Sequence, residues 1–147
     1  MPWWRNSPRR PKLRPRKLCL ENFGPYRERV EIDFSRLGPV FLVWGKTGSG
    51  KTTLFDALTY ALYGEAPGSR SGLEKQLYSH FAQPGDKPLV EFEFALGAEI
   101  YRATRSPPFR RLNRRGEETE VPAAAKLERR DGGGWTLLGE KIGEVDE

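Results

Sequence analysis

PVFLVWGKTGSGKTTLFDALTYALYG, residues 39–64, decides the fold. Residues 40–44 (VFLVW) form a short continuous apolar run between Pro39 and Gly45. Such a run suits a strand buried on both faces. Residues 45–52 (GKTGSGKT) fit the pattern G-x-x-x-x-G-K-[ST]. Glycines at these positions let the backbone curl so that successive N–H groups point inward at phosphate oxygens. Lys51 can then reach the β- and γ-phosphates, and the Thr52 hydroxyl can bind Mg²⁺. The segment after the loop places Leu54, Leu58, Ala61 and Leu62 on one helical stripe, with Phe55 flanking it. Gly64 stands where a left-handed residue closes a helix. That helix would aim the positive end of its dipole at the same phosphates. A chance match has a probability of roughly four in 100,000 per position at average composition. Strand, loop and helix together predict an α/β phosphate-loop NTPase. The expected nucleotide site is Gly45, Lys46, Thr47, Gly48, Ser49, Gly50, Lys51, Thr52 and Thr53.

Outward from this stretch, the chain alternates. RKLCLEN at 16–22 reads as a strand, FGPY at 23–26 as a turn, and ERVEIDF at 28–34 as a half-buried strand paired antiparallel with the first. PLVEFEFAL at 88–96 puts Val90, Phe92 and Phe94 on one side and Glu91 and Glu93 on the other. Gly97-Ala98 turns the chain, and EIYRATR returns as a hairpin. Further strands are expected over 119–130 and 135–138, joined by Asp131-Gly132-Gly133-Gly134. Residues 65–88 read as loop-rich, with a short helix around 73–81. The expected architecture is a mixed sheet with antiparallel hairpins and one phosphate-loop helix.

Gly and Pro number 16 and 12 in 147 residues, which favours turns and short strands over a helical bundle. No apolar run is long enough to span a membrane. One cysteine and one histidine exclude an internal disulfide framework and a His-rich or multi-cysteine metal centre. Charge is segregated. Residues 1–17 hold seven Lys or Arg and no acid, residues 101–116 hold six Arg and no acid, and the rest of the chain sums to −8. Two basic segments on an acidic body suggest a polyanion partner. Residues 1–12, interrupted by prolines at 2, 8 and 11, are expected to form a disordered basic extension.

LCLENFGPY, then EIDFSRLGPVFLVWGKTGSGKTTLFDALTYALYGEAPG, then SHFAQPGDKPLVEFEFALGAEIYRATRSPPFRRLNRRGEETEV with its pattern Y-R-x-T-R-x-P, resembles the N-terminal segment of the SbcC-type exonuclease ATPase subunits. The resemblance covers about residues 13–147. It implies the N-terminal part of an ABC-type ATPase head, with the remainder of the head missing from these residues. It also implies ATP and Mg²⁺ as ligands, Lys51 and Thr52 as the catalytic pair, and Thr52 as the metal-binding hydroxyl. The implied partners are a metallophosphoesterase nuclease subunit, a second ATPase head in a homodimer, and double-stranded DNA ends. The implied location is cytoplasmic and nucleoid-associated. Gln76 and Gln83 do not occupy the place of the family's Mg²⁺-shell glutamine.

Arg110, Arg111, Arg114 and Arg115 sit in a Pro/Gly-flanked hairpin tip and are candidates for DNA phosphate contacts. Phe109 is a candidate for base stacking. Arg102 and Arg105 are expected to share one strand face. The competing reading is a solvated hairpin neutralised by Glu117, Glu118 and Glu120. Cys19 is expected to be a buried strand residue, and Asp56 a surface residue of the helix. Two other functions stay open. One is another phosphate-loop enzyme such as a small-molecule kinase. The other is a non-enzymatic DNA-binding module whose loop binds anions.

Overall fold

The computed structural model describes residues 11–65, 77–79 and 81–145. The expectations for residues 1–10, His80, Gln76 and most of a 73–81 helix lie outside the described residues. A six-stranded sheet forms the body, in the order β2-β1-β3-β4-β7-β8. Its strands are β1 (Leu13–Glu21), β2 (Val30–Asp33), β3 (Leu89–Leu96), β4 (Glu99–Ser106), β7 (Ala124–Asp131) and β8 (Gly134–Gly139). The pair β5 (Phe109–Leu112) and β6 (Glu118–Val121) forms a separate two-stranded hairpin. Helix α1 (Lys51–Tyr63) packs on one sheet face, and a single turn, α2 (Ile142–Val145), follows β8. None of the helices among the described residues is long and apolar enough to cross a membrane.

Alternation explains the sheet. Leu18 opposes Ile32 and Phe92, while Cys19 opposes Glu31 and Glu91, so neighbouring residues point to opposite faces. The apolar face gathers Leu18, Leu20, Val90, Phe92, Phe94 and Ala103 around Phe23 and the helix residues Ala57, Tyr60 and Ala61. The rings of Phe23 and Tyr60 lie 6.1 Å apart. The other face is ionic. Lys17 Nζ lies 2.7 Å from Glu31, and Glu128 accepts from Arg102 at 2.9 Å and pairs with Lys126 at 2.8 Å. The Arg102 guanidinium also lies over the Trp135 ring, 4.1 Å from its centre. Cys19 is buried on this face, as expected, with its thiol 3.6 Å from Glu31. Burial pushes that thiol's pKa up to about 11.

Several expectations need correction. Every strand pairing among the described residues is antiparallel, so the sheet is not mixed. The 40–44 run is neither a strand nor buried: Val40, Leu42 and Trp44 are 90%, 82% and 85% exposed. A strand exists only beside a partner, and residues 40–44 pair with no strand among the described residues. The 119–130 strand divides into β6 and β7 around Pro122, which has no N–H to donate to a ladder. On α1 the buried residues are Asp56, Ala57, Tyr60 and Ala61, so the inward stripe is rotated from the expected one, and Leu54, Leu58 and Leu62 are only partly buried. Asp56, 4% exposed, is not a surface residue.

Candidate nucleotide-binding site and basic hairpin

The glycine-rich 45–50 loop ends where α1 begins. Gly50 is the N-cap at φ +91°, and Gly48 lies at φ +81°. Both angles are in the left-handed region that glycine enters without strain. Gly50 is needed twice over, since an added Cβ would stand 2.7 Å from the Tyr26 hydroxyl and 3.0 Å from Pro25. The loop closes on itself through Ser49 N–H donating to the Lys46 carbonyl at 3.1 Å. Gly50 offers no side chain to cap the helix, and the first bond inside the helix is Leu54 N–H to Gly50 O at 3.2 Å. The N–H groups of Lys51, Thr52 and Thr53 therefore precede the first intrahelical bond, at the positive end of the dipole.

A cavity of about 430 Å³ opens at this helix end, lined by Pro25, Thr47, Gly48, Gly50, Lys51, Thr52 and Thr53. Helix N-terminal N–H groups, a lysine and three threonines suit a polyphosphate and a hard cation. The Lys51 ammonium donates to the carbonyls of Gly45 at 2.6 Å and Lys46 at 2.8 Å. It thus folds back along the loop and would swing outward to meet a phosphate. Of the nine expected nucleotide-site residues, Thr47, Gly48, Gly50, Lys51, Thr52 and Thr53 border the cavity. Gly45 and Lys46 hold the lysine, and Ser49 closes the loop.

Sequence reasoning assigned no site role to the 22–26 turn. The Tyr26 hydroxyl donates to the Gly50 carbonyl at 3.2 Å. Gly24 lies so near Thr53 that an added Cβ would be 2.7 Å from the Thr53 methyl. The signal was an aromatic residue directly after Gly-Pro, a turn stiff enough to carry a contact.

The six arginines of residues 101–116 separate. Arg102 and Arg105 do not share a face: three residues apart on a strand, they point to opposite sides. Arg105 is buried against α1, where its Nε donates to the Ala61 carbonyl at 2.9 Å. Phe109 is 9% exposed and packs against Tyr78 with rings 6.3 Å apart, so it cannot stack on a base without leaving the hairpin root. Arg110, Arg111, Arg114 and Arg115 are exposed. Arg110 pairs with Glu118 at 3.2 Å, in line with part of the neutralised-hairpin reading. The tip is ordered by Asn113, whose side-chain oxygen accepts from Arg115 N–H at 2.8 Å and Glu117 N–H at 3.0 Å.

Residues 17–134 match the family described as an AAA domain. The SbcC subunit of the nuclease SbcCD from Treponema pallidum (strain Nichols) is 46% identical over 126 residues, covering 86% of this chain and 12% of that protein. The protein of the same name from Vibrio cholerae serotype O1 is 46% identical over 108 residues, covering 71% of this chain and 10% of its own length. That from Staphylococcus aureus (strain JH9) is 48% identical over 100 residues, covering 66% and 10%. The chain thus spans only 10–12% of the length of these curated relatives. Residues 45–52 lie inside the matched span, and the chain belongs to the AAA domain family, with the sequence of an N-terminal segment of the SbcC type.

Proposed function

We propose that the chain is the ATP-binding N-terminal part of an ABC-type ATPase head, in the ATPase subunit of a nuclease complex that processes DNA ends. The observation that carries this reading is GKTGSGKT curled at the N-terminus of α1, with three helix N–H groups and Lys51 beside one cavity. The likeness to proteins named as one subunit of the nuclease SbcCD supports the complex. In this reading residues 13–147 belong to the head and residues 1–12 are an extension. Its partners are a metallophosphoesterase nuclease subunit, a second copy of the head and double-stranded DNA ends, in the cytoplasm beside the nucleoid.

The chemistry of this chain's own residues is binding and positioning. The N–H groups at the start of α1 hold phosphate oxygens, and Lys51 leaves the Gly45 and Lys46 carbonyls to balance charge on the γ-phosphate. The Thr52 hydroxyl would hold Mg²⁺, which would supply charge neutralisation at the phosphates. Arg110, Arg111, Arg114 and Arg115 would meet the DNA backbone without reading its sequence.

Calorimetry with Mg·ATP tests the site. Lys51→Ala should lose a charge-assisted contact of about 1.5–3 kcal/mol. Equal affinity for both forms overturns the assignment. The chain by itself should not turn ATP over. No carboxylate, glutamine or histidine lines the cavity among the described residues, so nothing there orients an attacking water. Sustained Lys51-dependent hydrolysis by the 147-residue chain would favour the kinase-like alternative.

A further inference from the structure

Helix α1 is 13 residues long, so its two ends lie about 20 Å apart. Its N-terminal end is the phosphate loop. Its C-terminal end leaves carbonyls without partners in the helix, and Gly64 N–H satisfies that of Tyr60 at 2.8 Å. Arg105 reaches the next two from the middle of the sheet, with Nε to Ala61 O at 2.9 Å and Nη2 to Leu62 O at 3.4 Å. The residue is 2% exposed, and β4 is flanked by β3 and β7, opposite Val90 and Ala125. A cation at this helix end is also favoured by the dipole. The fit is close: a Cβ on Gly64, at φ +72°, would stand 2.8 Å from the guanidinium.

The near end is held as tightly. Tyr26 bonds Gly50 O, Gly24 abuts Thr53, and Asn22 fastens the turn to the Lys87 carbonyl at 3.1 Å. Between the ends, Ala57 and Ala61 meet the sheet with methyl groups, with Tyr60 among them and Leu54, Leu58 and Leu62 at the margins. Methyl groups form low ridges, so the two ends of α1 contribute to its axial register beside the packing of Tyr60 and the partly buried Leu54, Leu58 and Leu62. We propose that Arg105 is a positioning residue for the nucleotide site: by fixing the far end of α1 to β4, it fixes where the first turn presents its N–H groups and Lys51. The proposal rests on the reading of residues 45–53 as that site.

The test uses Arg105→Gln, Arg105→Lys and the wild-type 147-residue chain. Two quantities are measured below each melting temperature: Mg·ATP affinity by calorimetry, and nucleotide-free hydrogen exchange at the amides of residues 54–57 and of β3 and β4. Arg105→Gln should weaken Mg·ATP binding about tenfold, the size of one lost charge-assisted hydrogen bond. Its exchange at residues 54–57 should rise about tenfold more than in β3 and β4, because the lost contact is local to α1. Arg105→Lys keeps the charge and one bond, and should return both readouts to within about threefold of wild type. Unchanged affinity in Arg105→Gln overturns the proposal. So does a rise in exchange shared equally by α1, β3 and β4, which is the mark of a purely structural role. If Arg105→Gln does not fold, Arg105→Lys is read in its place: a smaller excess at residues 54–57, up to about threefold, with weaker Mg·ATP binding is expected, and no excess with unchanged affinity overturns the proposal. If the wild-type chain itself binds no Mg·ATP, the nucleotide reading fails, and the exchange comparison alone decides whether Arg105 sets the position of the first turn.

Discussion

The arginines of β4 and those of the β5–β6 hairpin lie within one short stretch, yet they do opposite work. Arg102 and Arg105 are spent on the protein itself, one on Glu128 and Trp135, the other on the last turn of α1. Arg111, Arg114 and Arg115 make no ion pair among the described residues and face solvent. Composition treats all six alike. What separates them is whether the local strand lies inside a covered sheet or in a two-stranded hairpin outside it. A count of basic residues therefore overstates the surface offered to a polyanion, and the hairpin is the part that remains available.

Stability measurements should rank these arginines. Arg105→Met should be the most damaging, at about 3 kcal/mol, because it strips a charged donor from two carbonyls inside the fold. Urea unfolding measures it, and a cost below that of the hairpin changes would erase the contrast. Glu128→Gln comes next, at about 1–2 kcal/mol, since it weakens the bonds to Arg102 and Lys126 together. Burial alone would raise the Glu128 pKa, but the hydrogen bonds from Arg102 and Lys126 outweigh it and hold the carboxyl below the usual range. A lowered folded pKa means stability that is present above the unfolded value and lost as pH falls through the folded one. Wild type should therefore weaken below about pH 4.5, and Glu128→Gln should lose part of that pH dependence. An unchanged pH profile would show that the pair adds nothing.

Smallest in stability, within about 0.5 kcal/mol, should be Arg110, Arg111, Arg114 and Arg115 changed together to Ala. On the proposed reading their effect is on DNA binding. The log–log salt dependence of duplex binding should fall by up to about 3–4 units, nearly one per phosphate contact. Fluorescence anisotropy with one duplex at several salt concentrations reads this. An unchanged slope would reduce the hairpin to a solvated turn.

How much of this was legible depended on what each segment packs against. Val90, Phe92 and Phe94 announced β3 because one face of that strand is covered and the other is not. Helix α1 was legible to the residue at its end, because Gly64 takes the left-handed conformation that stops it. The curl of the 45–50 loop was legible because Gly48 and Gly50 take the positive φ that their spacing asks for. Residues 40–44 misled because an apolar run shows only a demand for cover, and nothing in the run says which strand would provide it. Arg105 was missed because charge was read before register. Its place two residues beyond Ala103, across from Val90, already put it on the apolar face. The inward face of α1 was misjudged because Ala57 and Tyr60 carry the close contact, while the larger leucines sit at its margins.

Cys19 is the chain's single cysteine, and its burial has a practical side. A thiol titrating near pH 11 is ionised at neutral pH in only about one molecule in ten thousand, and the side chain is shut away from reagents. Maleimides, spin labels and mild oxidants should pass the folded protein by. The natural sequence is thus already a silent background for site-specific labelling. A cysteine placed at the hairpin tip, as in Arg114→Cys, would be the one reactive handle, and a dye there would report on the tip without any other change to the chain.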